Sequence, residues 1–184
     1  MLQVKKCALE QTLSLRSEYS NHNSRMDGRK KFADGEYSGR LERGQRHGRG
    51  SMAYTNGDKY DGEWHGDKRE GRGVYMFADG ERYEGEFKAD KKEGRGVYTR
   101  PDGRRYEGEY KADKWEGRGV YTWPDGGRYE GRFKADKKEG RGVFTWPDNG
   151  RYEGEYKADK KEGRGVSTRA DGRVFEGLFR ATCP

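Results

Sequence analysis

Apolar and polar residues alternate along this chain in a pattern that repeats every 23 residues. The clearest copy reads YEGEFKADKKEGRGVYTRPDGRR and begins at Tyr83. A short fixed period indicates one supersecondary unit that stacks on copies of itself, so that each unit contacts only its neighbours. Copies begin at Tyr37, Tyr60, Tyr83, Tyr106, Tyr129 and Tyr152.

Each copy contains two segments with the two-residue alternation of a β-strand. In segment 83–88, Tyr83, Gly85 and Phe87 share one face, and charged residues share the other. Segment 94–99 alternates in the same way. The pattern therefore predicts two strands per copy and about fourteen strands in the chain.

The segments between the strands predict how the strands pair. Within the copy, a four-residue loop over 89–92 would pair Phe87 with Gly94, Glu86 with Arg95, Gly85 with Gly96 and Tyr83 with Tyr98. Between copies, Pro101-Asp102-Gly103 predicts a type I turn closed by glycine, which pairs Tyr98 with Tyr106, Gly96 with Gly108 and Arg95 with Glu109. Both turns place aromatic rings over glycines and opposite charges together. We therefore predict an all-β fold, an elongated, twisted single-layer antiparallel meander.

Composition changes this picture little. With 29% hydrophobic and 40% charged residues the chain could be disordered, but its 13 Tyr, 7 Phe and 4 Trp recur at fixed offsets. A net charge of +7 favours acidic partners, although 33 acidic residues are interleaved with 40 basic ones. The apolar area is thus concentrated in columns along one face of the sheet.

The chain ends predict a cytoplasmic location. Cys7 and Cys183 lie at opposite ends, which favours a reducing compartment, and no apolar run is typical of a signal peptide or a membrane span. We predict an N-terminal extension over 1–28, a short helix or disordered, and a tail over 180–184. The repeat domain between them, 29–179, comprises six full repeats over 37–174 and partial repeats at each end.

The order YxGxF/W, then GxGxxY, then a turn ending in Asp-Gly resembles the MORN (membrane occupation and recognition nexus) repeat. The resemblance covers 37–179. It implies a stack of hairpins without catalytic activity that acts as a scaffold. MORN modules occur in membrane-junction, ciliary and cytoskeletal proteins, and they are also associated with acidic phospholipids. The resemblance thus suggests a cytoskeletal or ciliary protein as partner, and a site at the cytoskeleton, the cilium or the inner membrane face.

The aromatic face is the first candidate site. In a single layer its rings would stay partly exposed and form a groove for a protein segment, such as an amphipathic helix. Trp123 and Trp146 beside the turns are candidate anchors, and Trp115 is expected to be exposed in a loop. The groove residues are Tyr60, Trp64, Tyr83, Phe87, Tyr106, Tyr110, Trp123, Tyr129, Phe133, Trp146, Tyr152 and Tyr156.

The charged face is the second candidate site, for an acidic phospholipid. Arg72 and Arg95 are expected to form cross-strand ion pairs with flanking glutamates. Arg132 replaces one of those glutamates, so that three like charges would lie side by side. The candidate anion or lipid ligands are Arg118, Arg132, Arg141 and the loop lysines Lys137, Lys138, Lys160 and Lys161.

Other functions find less support. The three histidines, His22, His47 and His65, have no cysteine pair nearby, and no nucleotide-binding or nucleophile motif is present, so we expect no metal, no cofactor and no enzyme activity. The acidic columns would repel nucleic acid. The aromatic face or an unpaired edge strand would also allow a homodimer.

Overall fold

The structure, a computed structural model, describes residues 26–180. In this range the chain forms one fourteen-stranded antiparallel sheet whose strands follow sequence order, as predicted. The strands are β1 (Met26–Phe32), β2 (Gly35–Glu42), β3 (Gln45–Tyr54), β4 (Lys59–His65), β5 (Lys68–Met76), β6 (Arg82–Lys88), β7 (Lys91–Thr99), β8 (Arg105–Lys111), β9 (Lys114–Thr122), β10 (Arg128–Lys134), β11 (Lys137–Thr145), β12 (Arg151–Lys157), β13 (Lys160–Thr168) and β14 (Val174–Phe179).

The two ends differ in part from the predicted boundaries. β1 begins at Met26, so the sheet starts inside the range 1–28 that was assigned to an extension. The helix predicted there and the tail residues 181–184 lie outside the described residues.

One glycine from each strand lies in a single row across the sheet. Gly85 pairs with Gly96 and Gly96 with Gly108, as predicted. The row runs through Gly28, Gly39, Gly50, Gly62, Gly73, Gly85, Gly96, Gly108, Gly119, Gly131, Gly142, Gly154, Gly165 and Gly177.

A tyrosine from each repeat lies on this glycine row. The Tyr83 hydroxyl donates a hydrogen bond of 2.9 Å to the carbonyl of Glu86, so the buried ring carries no unsatisfied polar group. The same bond, from Tyr to the carbonyl three residues later, forms at Tyr37, Tyr60, Tyr106, Tyr129 and Tyr152.

A second column of rings completes the core. The Phe87 and Tyr110 rings both meet the Tyr83 ring edge to face, with centroids 5.1 Å away. The ten rings Tyr60, Trp64, Tyr83, Phe87, Tyr106, Tyr110, Tyr129, Phe133, Tyr152 and Tyr156 are at most 4% exposed. The prediction that these rings stay partly exposed in a groove is therefore wrong, because consecutive repeats cover each other and a single sheet buries its own core.

The loop inside each repeat is shorter than predicted. Lys88 pairs with Lys91, which leaves the two-residue loop Ala89-Asp90, with φ of +47° and +70° as in a type I′ turn. A bulge at Gly94, φ +61°, then restores the pairing of the glycine row. The predicted pairs Glu86 with Arg95 and Phe87 with Gly94 are therefore wrong. Glu86 pairs with Glu93 instead, and Phe87 pairs with Lys92.

The turn between repeats agrees with the sequence. The Gly103 amide donates to the Arg100 carbonyl at 3.0 Å, and Gly103 has a φ of +88°. The predicted pairs Tyr98 with Tyr106 and Arg95 with Glu109 are confirmed.

Candidate functional site

Cationic side chains lie on the rings of the aromatic face. Because the loop has two residues, the second residue of each odd-numbered strand from β3 to β13 turns toward this face. Lys92 Nζ lies 4.4 Å from the centroid of the Tyr98 ring and 5.2 Å from that of Tyr83. The residues at this position are Arg46, Arg69, Lys92, Trp115, Lys138 and Lys161.

Two of these residues, Lys138 and Lys161, were predicted to bind lipid. Lys138 Nζ lies 5.1 Å from the Trp123 ring centroid, and Lys161 Nζ lies 4.5 Å from that of Trp146. Desolvation by burial lowers the pKa of both lysines. Their assignment to free loops is wrong, whereas Lys137 and Lys160, each one residue earlier, are exposed.

Trp115 also differs from its predicted loop position. It lies in β9, and its ring stacks on Tyr106 with centroids 4.4 Å apart and planes within 10° of parallel. It also meets Phe133 edge to face at 5.6 Å. Trp115 therefore extends the core at a position where the neighbouring repeats have lysine.

Four half-buried rings lie beside the turns between repeats, and we call them the aromatic strip: Tyr121, Trp123, Phe144 and Trp146. Successive ring centroids along the strip are 4.4, 5.2 and 5.0 Å apart. Of the predicted groove residues, only Trp123 and Trp146 lie here. Tyr121 and Phe144 were missed, although they recur 23 residues apart and alternate with the glycines of the row.

The charged face forms a trough with a volume of about 1330 Å³. Two columns line it along its length, one in which arginine alternates mainly with glutamate and one in which valine alternates mainly with glutamate. The ends of the lining lie at Arg49 and Glu176.

The glutamates of the arginine column bind backbone and not guanidinium groups. Glu63 Oε1 accepts from the Arg72 amide at 3.1 Å, and Glu109 Oε1 accepts in the same way from the Arg118 amide at 3.1 Å. The ion pairs predicted at Arg72 and Arg95 are not formed in the described part of the chain. Instead, ion pairs run along single strands, at Arg82–Glu84, Arg105–Glu107, Arg128–Glu130 and Arg151–Glu153.

The predicted arginine cluster is brought together in the trough. Arg132 pairs directly with Arg118 across β10 and β9, and Arg141 lies in the bulge on the other side. All three side chains are exposed. Arg132 therefore interrupts the glutamates that otherwise separate the arginines.

Two carboxylates per repeat have a structural role that the sequence did not reveal. Asp113 Oδ1 accepts from the Lys92 amide at 2.8 Å, and Glu93 Oε2 accepts from the Ala112 amide at 3.0 Å. These bonds tie the loop of one repeat to the next repeat. The signal in the sequence was the recurrence of Asp at the second loop position and of Glu three residues later.

Within residues 26–180, no group of three or more His, Cys, Asp or Glu side chains is placed to hold a metal ion. No described element is a helix of the length and apolarity needed to cross a bilayer. The two candidate surfaces, the aromatic strip and the trough, lie on opposite faces of the sheet.

The repeat belongs to a known family. The sequence model of the MORN repeat matches residues 37–59, 60–82, 83–104, 106–128, 129–151 and 152–172, six consecutive copies. The chain is therefore a member of the MORN repeat family, as its sequence suggested. A search of curated proteins gave no match.

Solved structures with similarity to this chain include two of the Drosophila melanogaster Sas-4 protein. One is the TCP domain in complex with a proline-rich motif of Ana2, with 14% identity over 82% of this chain and 89% of that chain and a TM-score of 0.47. The other is the TCP10c domain, with 13% identity over 84% and 100% and a TM-score of 0.45.

Proposed function

We propose that this chain is a non-catalytic scaffold that binds a protein segment on its aromatic strip. The observation that supports this proposal is the continuous contact of four half-buried rings, from Tyr121 to Trp146, beside a column of core rings that are buried. Exposed aromatic clusters of this kind mark partner sites, and tryptophan is enriched among residues that dominate binding. The partner is a cytoskeletal, ciliary or membrane-junction protein of the cytoplasm, since MORN modules occur in such proteins.

The segment bound is an amphipathic helix with an acidic flank. Trp123 and Trp146 are one repeat, or two strands, apart, which is about 9.6 Å. Seven residues of helix span about 10.5 Å, so one apolar position per heptad meets one tryptophan. Lys138 and Lys161 lie on the same rings and have lost part of their hydration, so carboxylates beside the apolar stripe would compensate them.

A pair of synthetic helices tests this proposal. Both carry leucine at the first and fourth heptad positions, and their flanking positions are glutamate in one and lysine in the other. We expect the glutamate peptide to bind the full chain and gain helicity, as measured by circular dichroism and tryptophan fluorescence. Binding of both peptides with equal affinity, or of neither, would contradict the proposal.

Variants separate the strip from the core. Replacing Trp123 and Trp146 by alanine should weaken binding at least about tenfold while the sheet stays folded. The matched control is Trp115→Lys, which removes a tryptophan but installs the residue of the neighbouring repeats. If the control weakens binding as much as the double variant, the strip is not the binding surface.

Acidic phospholipid is the second candidate ligand, favoured by the exposed Lys137 and Lys160 and by the arginine cluster in the trough. Co-sedimentation with phosphoinositide-containing liposomes at two salt concentrations tests it. Salt-sensitive binding that is lost when Arg118, Arg132 and Arg141 become glutamate would support membrane binding. Absent or salt-independent binding would exclude this electrostatic mode.

A further inference from the structure

A carboxylate fills the space above the bulge in most repeats. A Cβ built on Gly94 would lie 2.6 Å from Glu86 Oε2, which shows how closely that oxygen approaches the backbone. Glutamate oxygens lie equally close above Gly71, Gly117 and Gly163. The carboxylate accepts a hydrogen bond from the amide of the residue that follows the bulge glycine, which is Arg72, Arg95 or Arg118.

The fifth repeat keeps this bulge but lacks the carboxylate. Gly140 has a φ of +65°, close to the +61° of Gly94, so the backbone is the same. Above Gly140 the nearest atom to an ideal Cβ is Arg132 Cδ, at 3.6 Å. A guanidinium has no acceptor atom, so Arg132 cannot replace the bond that glutamate makes to the bulge amide, here that of Arg141.

Glu155 faces Arg141 across β12, but its carboxylate lies above the next bulge, at Gly163. Two other neighbouring carboxylates are engaged in ion pairs. Glu130 pairs with Arg128 and Glu153 with Arg151, each at 2.7 Å. The first repeat also has an arginine at this position, Arg40, but there Glu42 lies 3.7 Å away. In the fifth repeat the position of Glu42 is taken by Lys134. Arg132 therefore places a positive charge where most repeats have a glutamate, and no carboxylate two residues later compensates it.

We propose that the trough binds an extended peptide through a carboxylate side chain that occupies this vacant glutamate position. The Arg141 amide and the guanidinium groups of Arg118, Arg132 and Arg141 hold the carboxylate, as charge-assisted donors. A peptide side chain fits better than a flat membrane, because the acceptor has to reach a backbone amide at the floor of the trough, between the side chains that line it. The site lies on the face opposite the aromatic strip and does not depend on the function proposed above.

The test uses the ¹⁵N-labelled full chain and follows backbone amides by NMR. The probes are the acetylated tripeptide amide Gly-Glu-Gly, its Gly-Gln-Gly counterpart and inorganic phosphate. We expect the glutamate peptide to shift the Arg141 amide saturably and to leave the amides of Arg72 and Arg95 in place, because their own glutamates already occupy them. The glutamine peptide should have no such effect.

Two variants move the site. Arg132→Glu installs the residue of other repeats, so it should fold normally and bind the glutamate peptide at least about tenfold more weakly. Adding Glu109→Arg to that variant shifts the vacancy by one repeat, and the Arg118 amide should then respond. Unchanged binding by Arg132→Glu, equal effects of both peptides, or a shift of the Arg141 amide by phosphate but not by the glutamate peptide would overturn the proposal.

Discussion

The ring of Tyr83 lies against the backbone of Gly96 on the neighbouring strand. A Cβ on Gly96 would approach Tyr83 Cε2 to 2.5 Å, closer than real Cβ atoms come to other groups. The ring cannot move aside easily, because its hydroxyl is bound to the Glu86 carbonyl and its edges contact Phe87 and Tyr110. A glycine inside a strand normally weakens a sheet, and here the covering ring offsets that cost.

The Gly96→Ala variant should therefore be less stable by about 1–3 kcal/mol, the usual cost of overpacking a core. Urea unfolding followed by tryptophan fluorescence measures this change. The matched control is Gly28→Ala, since Gly28 lies in the same row but has no atom within 4 Å of an ideal Cβ. Equal stability of the two variants would mean that ring contact does not require the glycine.

The Ala112→Asn variant should be more stable than the natural chain. Ala112 begins a type I′ loop with a φ of +48°, a region that residues other than glycine, asparagine and aspartate occupy at a cost. We expect a gain of about 0.5–1 kcal/mol in urea unfolding. Ala78→Asn is the control, because Ala78 is not among the residues with positive φ, and it should change stability little.

Arg132→Glu should also stabilise the sheet, by about 1 kcal/mol. The new carboxylate restores the acceptor for the Arg141 amide and separates Arg118 from Arg141. Thermal unfolding at low and high salt measures the gain and its electrostatic part. Arg180→Glu makes the same charge change at an exposed position far from the cluster, and an equal gain there would show that only net charge matters.

The sheet should lose stability above pH 10. Burial raises the pKa of ten described tyrosines, so the unfolded chain releases those protons at lower pH than the folded sheet does, and its free energy falls relative to that of the folded sheet. Desolvation lowers the pKa of Lys92, Lys138 and Lys161, which acts in the opposite direction, but three groups cannot balance ten.

Urea unfolding just below and well above pH 10 checks this expectation, with tyrosinate absorbance as an independent readout. Tyr83→Phe, which keeps the ring but not the titrating hydroxyl, should lose stability less steeply with pH. A free energy of unfolding that does not fall above pH 10 would contradict the expectation.

The sequence predicted the faces of the strands and the glycine row correctly, because both follow from the two-residue alternation and from the turn at Pro101-Asp102-Gly103. The loop at Ala89-Asp90 could not be predicted, since a four-residue loop and a two-residue loop with a bulge keep the same parity. Alanine in the left-handed region also gave no turn signal. That loop decides whether Lys138 and Lys161 face solvent or rings.

Burial was the second feature that the sequence did not predict. A single sheet was expected to leave Tyr83 and its equivalents partly open. The cover comes from residues one repeat away, such as Tyr110 on Tyr83, and from cations such as Lys92 that cross the face. These contacts depend on the bulge and on the spacing between hairpins, which alternation alone does not specify.

The Lys92 amide donates to the Asp113 carboxylate and the Ala112 amide donates to the Glu93 carboxylate. The equivalent bonds form at the next two junctions between repeats. Excising one 23-residue block, such as 106–128, would bring together two surfaces that already match. The number of repeats thus sets the length of the sheet. Genetic duplication or deletion of a repeat can change the distance that the sheet spans without altering the contacts between repeats.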